Sequence, residues 1–230
     1  MAVLTLQDIA VEIRDLKILQ DIHFSVDEGS VTALIGHNGA GKSTIMKTII
    51  GWQEKRQGTI KINNISQEDD FLAFKRQYSY LPEEPLLLSE LTVYQHFQLY
   101  AKSYQIEKDR FEERVQTYIT DLEIKDKMDE YPEALSKGMR QKVQTICALL
   151  PDTPLLLIDE PFMGLDYYAM DYLQGAMERK KKEGTSILLT THQLEKVQDI
   201  ADQFVMLKHG KVVDQGPIES FQELARRNDI

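Results

Sequence analysis

Cysteine is nearly absent from this 230-residue chain, which holds one, Cys147. A lone thiol makes no disulfide framework, so a reducing compartment is expected and the fold must close on its own core. Cys147 lies in the apolar run TICALL and reads as a small buried hydrophobe. Long hydrophobic runs are missing too: nothing approaches the roughly 18 consecutive apolar residues of a membrane span. The opening stretch MAVLTLQDIAVEIRD has no basic segment followed by a long apolar one, so no leader is expected there. Basic charge is in deficit, with 27 Lys and Arg against 37 Asp and Glu and a net charge of −10. That balance speaks against broad contact with a nucleic-acid backbone. Internal repeats and low-complexity tracts are also lacking. The expectation is a single soluble, cytoplasmic domain over residues 1–230, and any work at a membrane requires another polypeptide to hold it there.

The chain begins with strand patterns. LTLQDIAVEI partly alternates, IHFSV alternates, and SVTALIG is a short apolar run ending in glycine. A helix follows in KSTIMKTIIGW, with Ile45, Met46, Ile49 and Ile50 on one face and Gly51 as its stop. GTIKIN reads as another strand. From about residue 86 to 150 the texture is helical. Thr92 and Gln95 form a capping-box pattern, and Val93, Phe97, Tyr100, Ala101 and Tyr104 recur at helical spacing. Phe111, Val115, Tyr118, Ile119 and Leu122 mark a second helix. A third starts at Ser136, with Met139, Val143, Ile146, Cys147 and Leu150 along one side. Afterwards PLLLIDEP and SILLTTH are uninterrupted apolar strands, as expected in parallel sheets covered on both faces. FVMLKHGKVVDQG reads as a hairpin turning at His209-Gly210.

The chemistry gathers at strand ends. Gly36-His37-Asn38-Gly39-Ala40-Gly41-Lys42-Ser43, followed by Thr44, fits the phosphate-loop pattern G-x-x-x-x-G-K-[ST] between a strand and a helix. Its glycines let the backbone curl close to an anion and aim N–H groups inward. Lys42 then meets the β- and γ-phosphates, and Ser43 offers a hydroxyl to Mg2+. LLLIDE ends in Asp159 and Glu160, which point to opposite sides of their strand. Asp159 is suited to share the metal ion with Ser43, directly or through water, and Glu160 to address the water that attacks the γ-phosphate. His192 ends SILLTTH, on the side of such a sheet where ligands gather. The stretch EALSKGMRQK opens a helix with Ser136 and Gly138, a ready anion site.

Together these pieces resemble the ATP-binding subunit of ABC transporters, in motif order and spacing, from about residue 3 to 220. GHNGAGKST is similar to the family's phosphate loop, LLLIDEP to its magnesium-and-base strand, and Gly164 to Asp166 to the loop that communicates between subunits. His192 is similar to its switch histidine, and LSKGMRQK stands where the family has LSGGQ. The resemblance implies a P-loop NTPase (RecA-like) α/β core with a mostly parallel sheet, an N-terminal antiparallel β subdomain and a helical insert. It implies ATP and Mg2+ as ligands, a homodimer formed on ATP binding, and a separate transmembrane permease as partner. It places the chain on the inner face of the cell membrane. Ser136 and Gly138 would reach the partner copy's γ-phosphate, not their own.

The pattern is broken in places. Lys137 replaces the first signature glycine and either adds a cation near the phosphate or points to solvent. Met139 replaces the terminal glutamine. Glu83, in YLPEEP, replaces a glutamine that touches Mg2+ or its water and faces the permease. Ile13 stands where an aromatic ring often stacks on adenine, and Tyr167 where proline is frequent. SKGMRQK, DEPFMGLD and YLPEEP are similar to the ATPase subunit of Ecs-type exporters of Gram-positive bacteria. The alternative reading is a soluble ABC-type ATPase acting on ribosomes or nucleic acid, which the acidic charge and the single phosphate loop disfavour. Leu86 to Leu88 either pack internally or face the permease.

Overall fold

Two-residue turns shape the first sheet. Arg14-Asp15 and Asn63-Asn64 all have positive φ, the backbone that matches the twist of a tight antiparallel hairpin. The first joins β1 (Ala2–Ile13) to β2 (Leu16–Asp27), and the second joins β4 (Gln57–Ile62) to β5 (Ile65–Ser66). These strands form a four-stranded antiparallel sheet in the order β2-β1-β4-β5. The protein is seen here in a computed structural model that describes residues 1–161, 166–192 and 198–221.

The second sheet has six strands in the order β10-β9-β3-β8-β7-β6. Its members are β3 (Val31–Ile35), β6 (Tyr78–Leu81), β7 (Leu155–Asp159), β8 (Ser186–Thr191), β9 (Gln203–Lys208) and β10 (Lys211–Pro217). All neighbours pair in parallel except the edge strand β10. The expected hairpin is present, with His209 and Gly210 both at positive φ. The edge strand β6 was not anticipated. Its sequence YSYL is too short and too polar at Ser79 to stand out as a strand.

Both faces of this sheet are covered, which explains the continuous apolar runs. Leu155 and Leu157 join a core shared with the first sheet and with α1 (Lys42–Ile49), which lies between the two sheets. Leu156 and Ile158 point the other way, to a core shared with α6 (Tyr167–Lys182). Between β6 and β7 run α3 (Val93–Ser103), α4 (Lys108–Asp121) and α5 (Lys137–Leu149), which build a core of their own around Phe97, Phe111, Ile119 and Ile146. A single-turn α2 (Phe71–Lys75) precedes β6, capped by Asp70. The capping box of α3 is formed: Gln95 N–H donates to Thr92 Oγ1 at 3.3 Å, and Thr92 N–H donates to Gln95 Oε1 at 2.9 Å. Cys147 is buried and free, and burial pushes its thiol far up.

The C-terminus of α5 leaves carbonyl groups with no partner inside the helix, and side chains of other helices satisfy them. Tyr118 Oη donates to Leu149 O at 3.4 Å, Arg114 to Leu150 O at 2.6 Å, and Lys180 Nζ to Pro151 O at 2.9 Å. Asp152 collects the cations, pairing with Arg110, Arg114 and Lys180. Burial works against its carboxylate, yet Arg114, Lys180 and Arg110 hold its pKa below the ordinary value. This knot ties α4 and α6 to the end of α5. Changing Lys180 to Met keeps the aliphatic stem but leaves the Pro151 carbonyl without its donor. We expect a stability loss of about 1–3 kcal/mol, read as a lower urea midpoint. An unchanged midpoint would contradict the role given to Lys180.

Candidate functional site: a phosphate-loop cavity

The turn between β3 and α1 is shaped by contacts that only glycine permits. A Cβ at Gly36 would lie 2.5 Å from the carbonyl oxygen of Leu207. Gly41 caps α1 at φ 112°, and a Cβ there would meet Leu19 Cδ2 at 2.7 Å. The turn is braced from behind by the β9–β10 hairpin: Gly210 N–H donates to Ala40 O at 3.0 Å, while Ala40 itself is buried. The N–H groups at the start of α1 are thus left to a ligand, where the helix end favours negative charge.

In front of this turn lies a cavity of about 510 Å³, within the range of small-molecule sites. The turn contributes Asn38, Gly39, Gly41, Lys42, Ser43 and Thr44 to its wall. The far strands contribute Glu160 and His192, and the segment after β6 contributes Glu83. Parallel pairing explains the convergence, because β3, β7 and β8 deliver their C-terminal ends to the same edge. Ile13 does not line the cavity. It closes β1 opposite Leu16 and is 37% exposed. The aliphatic residue on the wall is Ile18, from β2, which sequence reasoning missed.

Lys42, Glu160 and His192 are arranged as a chain. Lys42 Nζ donates to Gly36 O at 2.8 Å and stands 3.6 Å from Glu160 Oε1. The other oxygen of Glu160 lies 3.0 Å from His192 Nδ1. Glu160 is itself at φ 48°, a left-handed backbone that is uncommon outside glycine and concentrates at functional sites. Asp159 Oδ1 accepts from Thr190 Oγ1 at 2.5 Å and from Ser43 Oγ at 3.4 Å. Thr190 Oγ1 in turn accepts from Glu160 N–H at 2.9 Å. Thr190 therefore fixes both carboxylate residues, a role the sequence did not reveal. Its signal was a hydroxyl in an otherwise apolar strand, directly opposite Asp159 in the β7–β8 register.

Burial raises the Asp159 pKa, and the Glu160 charge adds to the rise; hydrogen bonds from Thr190 and Ser43 oppose it. A carboxylate so placed gains from a cation. Among the described residues no group of three or more His, Cys, Asp or Glu is placed to hold a metal. The Ser43 and Asp159 oxygens fit a hard ion such as Mg2+ that keeps water and takes phosphate oxygens for its other ligands.

Ser136 is absent from the cavity wall. It is exposed at the N-terminus of α5 and accepts from Met139 N–H at 3.2 Å. Arg140 braces the preceding turn, donating to Pro132 O at 3.4 Å and Leu135 O at 3.3 Å, so it is no free anion ligand. Lys137 is exposed, and its Nζ donates to Glu84 Oε1 at 2.7 Å in a surface pair. Gly138 is half-buried in the first turn. Of the expected subunit-communicating loop, Gly164 and Leu165 lie outside the described residues. Asp166 caps α6 by accepting from Ala169 N–H at 2.8 Å and pairs with Lys142. Leu86 and Leu88 are exposed while Leu87 packs on the helical core, so internal packing holds for Leu87 alone.

Residues 19–163 match the family of ABC transporters. The chain is also 34% identical to the ABC-type transporter ATP-binding protein EcsA of Bacillus subtilis, over 97% of this chain and 90% of that protein. The chain belongs to the ABC transporter ATP-binding family. It is 30% identical to the SkfA peptide export ATP-binding protein SkfE of Bacillus subtilis, over 90% of this chain and 86% of that one. A solved structure of the ATP binding subunit of an ABC transporter superposes with a TM-score of 0.93 at 37% identity, covering 99% of this chain and 95% of that chain. The expected P-loop NTPase fold is the one observed, and the ABC subunit binds and hydrolyses ATP.

The raised pKa of Asp159 in this ABC ATPase carries a stability consequence. A native pKa above the unfolded value means that the folded state binds the proton more tightly. Stability is then highest below the unfolded pKa and falls as pH rises through the native one. At neutral pH the charged Asp159 is a burden on the fold without a cation. Asp159→Asn keeps the acceptor for Thr190 and removes the charge. It is expected to raise the urea midpoint at neutral pH without nucleotide or metal. A midpoint equal to or below that of the natural protein would contradict the charge burden.

Proposed function

We propose that the chain binds Mg·ATP in this cavity and hydrolyses it as one half of a head-to-tail homodimer, energising a separate transmembrane permease in the export direction. The observation that carries the proposal is a division of labour in space. The phosphate turn, Asp159, Glu160 and His192 meet at one cavity, while the Ser136 helix end is exposed away from its wall. A second copy placing that end against the first copy's γ-phosphate completes the site, and mutual exchange of the two surfaces closes a two-fold dimer.

Within the cavity, Lys42 leaves Gly36 O and Glu160 to meet the β- and γ-phosphates, and the turn's N–H groups cradle them. Ser43 and Asp159 would hold Mg2+, which would supply charge neutralisation for the phosphate oxygens. Glu160, freed of Lys42 and held by Thr190 through its backbone, orients the attacking water. His192 contacts the γ-phosphate and links it to Glu160. Glu83 borders the same space, from which it would reach the metal or its water. Ile18 on the wall leaves the base to aliphatic contact. Positioning and charge stabilisation dominate, as in other phosphoryl transfers.

Among the described residues no helix is long and apolar enough to cross a membrane. The permease is assigned to another chain, docked on the inner membrane face, on the likeness to transporter ATP-binding proteins. The exposed Leu86, Leu99 and Trp52 border a second cavity of about 390 Å³ floored by Tyr78, Tyr80, Tyr100 and Tyr104. Its aromatic floor and apolar rim suit a short helix from that partner. The export direction is supported by the likeness to the peptide export protein.

Glu160→Gln is expected to keep ATP affinity, lose most hydrolysis and accumulate as an ATP-bound dimer. Size-exclusion chromatography under saturating Mg·ATP reads the outcome. A variant that stays monomeric there would count against the ATP-bridged pair.

A further inference from the structure

The segment from Glu83 to Leu91 borders the nucleotide cavity at one end and carries the exposed leucines in its middle. Its backbone is poor in internal support. Pro82, just before it, and Pro85 supply no N–H. The amides of Leu86 and Leu88 donate instead to buried side chains of the helical insert. Leu86 N–H donates to Gln144 Oε1 on α5 at 2.9 Å, and Leu88 N–H donates to His96 Nε2 on α3 at 2.8 Å. Gln144 is oriented by its other end, Nε2 donating to Tyr100 Oη at 3.3 Å. Both Gln144 and His96 are buried.

The imidazole can serve only in one form. Its Nδ1 lies 2.7 Å from Thr92 O, an acceptor, so Nδ1 carries the proton and Nε2 is the lone pair facing Leu88 N–H. A second proton on Nε2 would set a donor against a donor. Burial lowers the His96 pKa, with the Thr92 carbonyl opposing. The elements around α3 are the Glu83–Leu91 segment, α4, the stretch 125–130 before α5, and α5 itself. Their carboxylates are Glu83, Glu84 and Glu90, then Asp109, Glu112, Glu113 and Asp121 on α4, then Asp126, Asp129 and Glu130. Their cations are Lys108, Arg110 and Arg114 on α4, Lys125 and Lys127, and Lys137, Arg140 and Lys142 on α5, with Lys102 on α3 itself. Lys137 is paired with Glu84, Lys142 with Asp166, and Arg140 with carbonyl oxygens. Among the described residues none of them forms an ion pair with His96.

We propose that His96 and Gln144 are positioning residues that bind the Glu83–Leu91 segment to the helical insert, so that Glu83 in the cavity and Leu86 and Leu88 on the surface move with α3 and α5. Neutral His96 is required for that attachment, which therefore weakens in acid. The catalytic consequence rests on the Mg·ATP reading above; the attachment does not.

The experiment uses the full chain and two readouts. Amide exchange protection at Leu86 and Leu88 reports the attachment, and Mg·ATP hydrolysis between neutral and about pH 5 reports its consequence. His96→Gln replaces Nε2 by an acceptor oxygen that does not titrate there. Natural protein is expected to lose Leu88 protection as pH falls, and His96→Gln to keep it. His96→Ala and Gln144→Ala are expected to lose about tenfold of protection at Leu88 and Leu86 respectively. Their kcat should fall about tenfold with little change in KM, and His96→Gln should retain kcat at neutral pH with a flatter acid limb. Leu88 protection that is alike in natural protein, His96→Gln and His96→Ala at every pH overturns the proposal. So does a loss in His96→Ala that His96→Gln shares at neutral pH, since that marks a purely structural role. If the natural protein does not hydrolyse ATP, the functional reading fails, while the protection data still decide the attachment.

Discussion

The site depends on how closely an anion can approach the backbone between β3 and α1. That approach exists because Gly36 and Gly41 have no Cβ where Leu207 and Leu19 press in. A side chain at Gly36 would push the turn away from the β9–β10 hairpin that braces it, and one at Gly41 would displace Leu19 and strain a backbone held at φ 112°. Lys42, Ser43 and the opposite strand ends are useful only because this curvature is held.

Around that turn, charge is balanced without external ions at a cost. Lys42 is buried against Glu160 and the Gly36 carbonyl. Asp159 is buried beside Glu160 with hydroxyl donors as its bonded partners. Lys42 pairs with Glu160, while Asp159 has no ion pair among the described residues and feels the pull of only the more distant Lys47, so it carries a negative charge that a metal ion suits. The same contacts hold the lysine against the Glu160 carboxylate; in the proposed cycle a triphosphate would take Lys42 from Glu160 and so link nucleotide binding to the freedom of the proposed base. Thr190 holds Asp159 and the Glu160 backbone in one frame, so neither acid moves independently.

What could be read from the sequence was local. The phosphate turn, the paired acids at the end of an apolar strand and the Thr92–Gln95 capping box each complete their pattern within about ten residues, and each appears where its chemistry demands. What could not be read depends on register or on distant contact. Thr190 matters because β8 aligns it with Asp159, and no spacing rule reports that alignment. Ile18 reaches the cavity wall because the β1–β2 hairpin folds at Arg14-Asp15, which leaves Ile13 at its outer edge. Lys137 finds Glu84 across 53 residues of chain. Leu88 finds His96 only because α3 doubles back beside the segment that precedes it. The strand β6 went unseen because four residues of mixed polarity carry too little pattern.

In the proposed dimer each triphosphate is held between the glycine turn of one copy and the Ser136 helix of another. A complementation experiment decides between this pair and a self-contained site. Lys42→Ala disables a chain's own turn, and Ser136→Arg blocks the helix end offered to a neighbour. Each variant alone should be inactive. Mixed, they form one intact composite site, from the turn of the second and the serine of the first, and Mg·ATP hydrolysis should return. A mixture as inactive as its parts, under conditions where the natural protein hydrolyses ATP, would contradict the claim.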